Sequence, residues 1–149
     1  GLPALAGWQL FIFASDISSR ALQVARQGIY GPSSFRDMEP AYETYVRQYF
    51  EPTPDGKLRI RDEIRQMVLF GRVNLLDSSS LALYGWLDVI FCRNVLIYFD
   101  TEAKKRAIQN FYERLRPGGF LLLGHSESLL GLDSRFQLVH LQNDMVYRK

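Results

Sequence analysis

Cross-linking and metal-binding residues are scarce in this chain. Cys92 is its single cysteine, which excludes a disulfide framework within the 149 residues. That thiol falls in a stretch that reads as a buried strand, where cysteine behaves more often as a small hydrophobe than as a nucleophile. The two histidines, His125 and His140, are not in a metal-ligand spacing. No apolar run approaches the roughly 20 residues of a membrane span, and no basic-then-apolar leader opens the sequence. The expectation is therefore a cytoplasmic protein with no membrane insertion. Neither sign of charge dominates, with 18 Lys and Arg against 16 Asp and Glu for a net charge of +2. That balance is too weak to argue for nucleic acid or a membrane surface as partner. A nucleophile elbow, a phosphate loop and internal repeats are also missing.

Apolar residues are abundant. At 47% hydrophobic and 13% aromatic, the chain can bury a core and reads as one domain, or one domain with a small insertion. The stretch from Leu87 to Asp100 organises it. Val89 to Cys92 is an apolar run without polar alternation, which fits a strand covered on both faces of a parallel sheet. Arg93 and Asn94 follow at its carboxyl end, the edge where open α/β sheets bind ligands. Tyr98 closes a second apolar group, Val95 to Phe99, ahead of a helix start at Asp100 or Thr101. Two readings stand here. The three residues form a site rim, or Arg93 and Asn94 end a strand and Tyr98 is a core aromatic with its hydroxyl at the surface.

Along the chain, residues 1–7 read like the tail of a helix. Gln9 to Ala14 is the first strand candidate, and Asp16 or Ser18 can cap the helix after it, which ends at Gly28. Asp16 also stands where nucleotide-binding folds place an acid on the ribose hydroxyls. As a single feature it allows a nicotinamide-dinucleotide reading too, although no glycine-rich turn precedes it. Residues 29 to 70 change character, with a tyrosine-rich helix over Ala41 to Phe50, a turn at Pro52 to Gly56, and strands at Lys57 to Arg61 and Met67 to Arg72. They read as a small insertion whose basic residues form a solvated face or guide an acidic partner. Val73 to Asp77 closes the next sheet strand, and Ser78 to Trp86 is a poorly patterned connection. Thr101 to Arg114 is the best helix, stopped by Arg116-Pro117-Gly118-Gly119. Phe120 to Leu123 is a buried strand delivering Gly124-His125-Ser126-Glu127, where His125 reads as a catalytic base or as a structural histidine. Phe136 to Leu141, the turn residues Asn143 and Asp144, and Met145 to Arg148 read as a terminal hairpin.

Taken together, Ser15-Asp16-Ile17-Ser18, Gly28-Ile29-Tyr30, Val73-Asn74-Leu75-Leu76-Asp77, Phe91 to Phe99, Leu115-Arg116-Pro117-Gly118-Gly119 and Gly124-His125-Ser126-Glu127-Ser128 resemble, in this order, the CheR family of chemotaxis receptor methyltransferases. Each motif alone is weak, while the ordered set with its FCRNVLIYFD centre is specific. The resemblance implies an α/β fold, a class I methyltransferase sheet of Rossmann-like type with a terminal antiparallel hairpin and a small antiparallel subdomain inserted at about residues 29–70. It implies S-adenosylmethionine as cofactor, S-adenosylhomocysteine as product, and O-methylation of glutamate side chains on the cytoplasmic domain of bacterial chemoreceptors. By similarity, Asp16 would hold the ribose, Asn74 and Leu75 would line the adenine pocket, Arg93 and Asn94 would lie beside the cofactor, and Tyr98 would sit near the methyl group. Tyr98 and Arg93 are thus the catalytic candidates, and no metal is expected.

The sequence departs from the family pattern by lacking the amino-terminal helical domain and the first central strand with its glycine-containing cofactor loop. The expectation is poor cofactor affinity and two interior strands with unpaired backbone. A neighbouring chain filling the gap, closure of the sheet, or a longer parent protein would each answer that. Glu51 to Lys57 is shorter than the glycine-bearing loop of members that bind a receptor tail, so weak or no tail binding is expected. A non-catalytic receptor-binding or scaffolding role is the competing reading.

Overall fold

The computed structural model describes residues 7–36, 38–142 and 144–149, which divide into two units, one ending at Arg72 and one running from Val73 to Lys149. The helix tail expected at residues 1–7 lies almost wholly outside the described residues, as does the expected turn residue Asn143.

In the first unit, β1 (Ile12–Asp16) leads into α1 (Ser19–Gln27). The strand starts and ends two to three residues later than the apolar run Gln9 to Ala14 suggests, so Ser15 and Asp16 belong to it. Ser18 is the helix cap, its hydroxyl accepting from the Ala21 N–H at 3.2 Å. Gly28 ends α1 at φ 65°, a left-handed conformation that glycine adopts without strain. A Cβ there would also meet Ile60 Cγ2 at 2.7 Å. Next come β2 (Ile29–Tyr30), α2 (Glu43–Tyr49), β3 (Phe50–Pro52), β4 (Leu58–Ile60), the short α3 (Asp62–Arg65) and β5 (Val68–Arg72).

β2, β4 and β3 form a small antiparallel sheet with β4 in the middle. The Tyr30, Phe35 and Phe50 rings meet edge to face on it, with Phe50 5.6 Å from Tyr30 and 5.5 Å from Phe35. The strand at Met67 to Arg72 forms, but not beside Lys57 to Arg61 as its place in the insertion suggests. It is β5, and it pairs in parallel with β1, Ile12 opposite Val68 and Asp16 opposite Arg72. α3 turns the chain out of the small sheet before β5 begins, which sequence spacing alone does not reveal. Guanidinium groups fasten this unit: Arg26 donates to Phe70 O, Arg65 to Arg26 O and Arg72 to Ile17 O, at 3.0–3.1 Å.

In the second unit the connection after Asp77 is partly helical. Asp77 caps α4 (Ser78–Ala82), accepting from Ser79 N at 3.0 Å and from the hydroxyls of Ser79 and Ser80 at 2.7 Å. The serine run hides this helix from a hydrophobic-periodicity reading, since serine favours caps over helix interiors. β6 (Leu87–Cys92), α5 (Thr101–Arg114), β7 (Leu115–Leu123), β8 (Gln137–His140) and β9 (Met145–Arg148) follow. Their sheet has the order β6-β7-β9-β8, with β6 and β7 parallel and the terminal hairpin antiparallel. α5 starts where expected, capped by Asp100, which accepts from Ala103 N at 2.8 Å. Arg116 to Gly119 does not interrupt the chain between helix and strand. It lies within β7 as an irregularity, because Leu87 faces Leu115 while Val89 already faces Phe120.

The core of this unit is the seam between α5 and the sheet, where Ala107, Ile108, Phe111, Leu115 and Leu121 are fully buried with Leu96, Leu129 and Val73 around them. Lys149 closes the end of α5, its ammonium donating to Tyr112 O at 2.6 Å and Leu115 O at 2.8 Å. The same ammonium lies 4.5 Å from the centre of the Tyr112 ring. β6 is not covered on both faces. Ile90 and Cys92 turn toward the core, but Val89 is 45% and Phe91 72% exposed. β6 is the end strand of its sheet, and among the described residues of this unit nothing buries its second face.

Truncating the seam should be costly. Phe111→Ala is expected to lower stability by about 3–5 kcal/mol, the usual range for a large core aromatic, as measured by urea unfolding.

Candidate functional site

Because β6 and β7 run in parallel, their carboxyl ends deliver two loops at the same end of the sheet, Arg93 to Phe99 and Gly124 to Leu132. In the first of these, Asn94 is the one described non-glycine residue with positive φ, at 58°. Asparagine tolerates that left-handed conformation better than most residues. A 3-10 turn over Leu96–Tyr98 follows and drops Leu96 into the core at 2% exposure. Arg93, Asn94 and Tyr98 stay on the surface, Tyr98 at 81% exposure. The reading of Tyr98 as a core aromatic is therefore set aside.

Glu127 joins the two loops. Its Oε2 accepts from Asn94 N at 2.8 Å and Gly124 N at 2.7 Å, and its Oε1 from Val95 N at 2.9 Å and Ile97 N at 3.3 Å. Partial burial pushes the acid up, but the N–H groups of Gly124, Asn94, Val95 and the Leu96–Ile97 turn outweigh it, and the net effect is a lowered pKa. Gly124 is a close approach: a Cβ there would run into Asn94 Oδ1 and lie 2.9 Å from both Asn94 N and Glu127 Oε2. Cys92, just before the loop, is buried, and burial reinforced by the Glu127 charge pushes its thiol up to about 12. It remains a neutral thiol, as its apolar setting suggests.

Asn74 and Leu75 lie on the turn before α4. Asn74 is exposed and accepts from Leu76 N at 3.0 Å, and Leu75 is half-buried against the core. Asn110, a buried polar residue on α5, donates to Leu75 O at 2.8 Å and fixes this turn. Asp16 belongs to the first unit. It is exposed at the end of β1, and its Oδ1 accepts from Ser18 N at 2.7 Å. It is thus an acid at a strand tip, not the helix cap. Two open hollows, one lined by Glu51, Arg59, Arg61 and Asp62 and the other by Leu76, Asp100, Ala103 and Arg106, contain none of the six predicted residues.

Sequence reasoning missed Glu127 and Asn110. Glu127 was read only as a neighbour of His125, yet His125 is exposed and the carboxylate is engaged by backbone. The available signal was an acid just past one strand end, opposite a loop whose N–H groups have no ladder to join. For Asn110 it was an amide amid Ala107, Ile108 and Phe111 on the apolar side of a helix. Among the described residues, no cluster of three or more His, Cys, Asp or Glu could hold a metal.

The sequence profile of the CheR methyltransferase SAM-binding domain matches residues 2–145. The chain belongs to the CheR methyltransferase family. Chemotaxis protein methyltransferase 2 of Vibrio cholerae is 40% identical over 99% of this chain and 50% of its own length. The chemotaxis protein methyltransferase of Vibrio parahaemolyticus is 41% identical over 92% of the chain and 48% of its own. That of Escherichia coli is 37% identical over 85% and 44%. This CheR chain thus spans about half the length of the curated relatives it matches.

Two outcomes follow for the loop pair. Gly124→Ala should destabilise by about 1–3 kcal/mol in urea unfolding, because the new methyl overfills the contact. Since the folded pKa of Glu127 lies below its ordinary 4.5, its stabilisation is present above that value and lost as pH falls toward the folded one. Acid unfolding of Glu127→Gln should therefore show a shallower pH dependence below 4.5 than the wild type.

Proposed function

We propose that this chain forms the cofactor-binding part of an S-adenosylmethionine-dependent methyltransferase acting on glutamate side chains of chemoreceptors. The observation that carries the reading is the surface rim of Arg93, Asn94 and Tyr98 at the carboxyl end of β6, in a chain that the family profile matches almost throughout. In this reading Asp16 holds the ribose hydroxyls, Asn74 and Leu75 the adenine, and Arg93 and Asn94 lie beside the cofactor. When bound there, S-adenosylmethionine would supply an electrophilic methyl on its sulfonium for transfer to a glutamate oxygen, with S-adenosylhomocysteine as the leaving group.

A glutamate carboxylate is already ionised near neutral pH, so the site needs no strong base. That agrees with a rim whose carboxylate, Glu127, is occupied by backbone N–H groups. What the residues must supply is alignment, which can lower a barrier by several kcal/mol. Tyr98 orients the methyl or the incoming carboxylate, and Arg93 balances charge. Among the described residues β6 is the end strand of its sheet, with Val89 and Phe91 exposed on its open face, and a further strand, or a second copy of the chain, would pair at its edge. That exposure is also the observation favouring the competing reading, a receptor-binding module without turnover. In the small sheet residues 53–57 alone join β3 and β4, which supports weak or no binding to a receptor tail.

Calorimetry with S-adenosylhomocysteine on the full-length protein that carries this sequence separates the two readings, saturable heat being expected for the enzyme and none for the module. In the same protein Tyr98→Phe should lower kcat by about tenfold or more; unchanged turnover removes Tyr98 from the chemistry.

A further inference from the structure

The two rim loops have no strand ladder to hold them, and four of their backbone N–H groups converge on one side chain. We propose that Glu127 is the positioning residue of the methyl-transfer rim, setting the backbone of Asn94 to Ile97 and thereby the directions in which Arg93, Asn94 and Tyr98 project. The inference rests on the rim being the cofactor site.

Glu127 accepts from four backbone N–H groups, three on the loop after β6 and one, Gly124, at the start of its own loop. The bonds therefore tie the end of β6 to the end of β7 and do more than close a local turn. Three of the four are 2.7–2.9 Å long, in the range of charge-assisted bonds. Among the described residues no cation pairs with this acid, so its charge is answered by peptide groups alone. A carboxylate used only for an ion pair does not look like this. Asn94 depends on the arrangement most directly. Its left-handed φ of 58° turns its N–H onto Oε2, and its side-chain oxygen crowds Gly124, where no Cβ fits. The adjoining 3-10 turn, which carries Tyr98, is held through Ile97 N on Oε1.

The chemistry of the latch is strict. Both carboxylate oxygens act as acceptors, two N–H groups on each. Glutamine has the same shape but offers one oxygen and one NH2 group, so one pair of backbone donors would face another donor. Aspartate keeps both acceptors on an arm one methylene shorter. Glu127 touches neither substrate nor cofactor in this account and acts only through the loop.

The test uses the full-length protein that carries this sequence, with Glu127→Gln, Glu127→Asp and, as a core control outside the rim, Ile108→Val. Amide hydrogen exchange at Asn94, Val95, Ile97 and Gly124 is read together with KM for S-adenosylmethionine and kcat. Glu127→Gln is expected to speed exchange at those amides and to raise KM by about tenfold or more, with Glu127→Asp recovering part of both. Ile108→Val should lower Tm and leave KM alone. A Glu127→Gln protein with wild-type KM, or a KM rise that Ile108→Val reproduces at equal loss of Tm, overturns the proposal. If Glu127→Gln fails to fold, Glu127→Asp decides it by the same readouts, wild-type KM again being the contrary result. A wild type that binds no S-adenosylhomocysteine overturns the cofactor reading and this proposal with it, whereas a binding wild type beside an equally good Glu127→Gln overturns this proposal alone.

Discussion

Backbone hydrogen-bond satisfaction is the constraint on which the second unit's rim depends. Where β6 and β7 end, their N–H groups leave the ladder and must find acceptors, since an orphaned polar group costs about 1–3 kcal/mol when buried. One acidic side chain meets that demand for both strand ends. The result is a loop that can expose Arg93, Asn94 and Tyr98 to solvent without being free to wander. Buried Leu96 and the α5 seam supply the apolar anchor beneath it. Rigidity of the backbone and openness of the side chains, which usually oppose each other, are obtained together.

The two units solve similar problems with different chemistry. In the first, long guanidinium arms from Arg26, Arg65 and Arg72 reach carbonyl oxygens and bind α1, α3 and the parallel strand pair to one another. Few of its apolar residues are deeply buried, Leu22 being the described example. The second unit relies on a continuous apolar seam and on carboxylates at helix and strand ends. Asp77 and Asp100 each cap a helix, and Glu127 does the equivalent for two strands.

How far these features could be read from sequence depended on whether the signal was local. α5, with its Asp100 cap and its apolar side, and the terminal hairpin follow from periodicity and turn residues alone. Gly28 as the end of α1 follows from its conformational freedom. Pairing partners did not follow. Val68 to Arg72 has the composition of a strand anywhere, and only the path through α3 brings it beside β1. The apolar run of β6 suggested two covered faces, while Phe91 is bare, because periodicity reports what a strand tolerates and not what lies against it. Arg93, Asn94 and Tyr98 were visible as polar residues after a strand. Asn110 and Glu127 were passed over, since an amide on the apolar side of a helix and an acid just past a strand end do not name the distant backbone groups they bind.

Cys92 has a practical consequence. As the sole thiol of the sequence, buried and with its pKa pushed up to about 12, it should be inert to maleimides and similar reagents near neutrality. A cysteine engineered onto an open position of the rim would then be the one handle a probe can reach. Site-specific fluorophores or spin labels could follow the loop after β6 directly, with no need to replace Cys92 first.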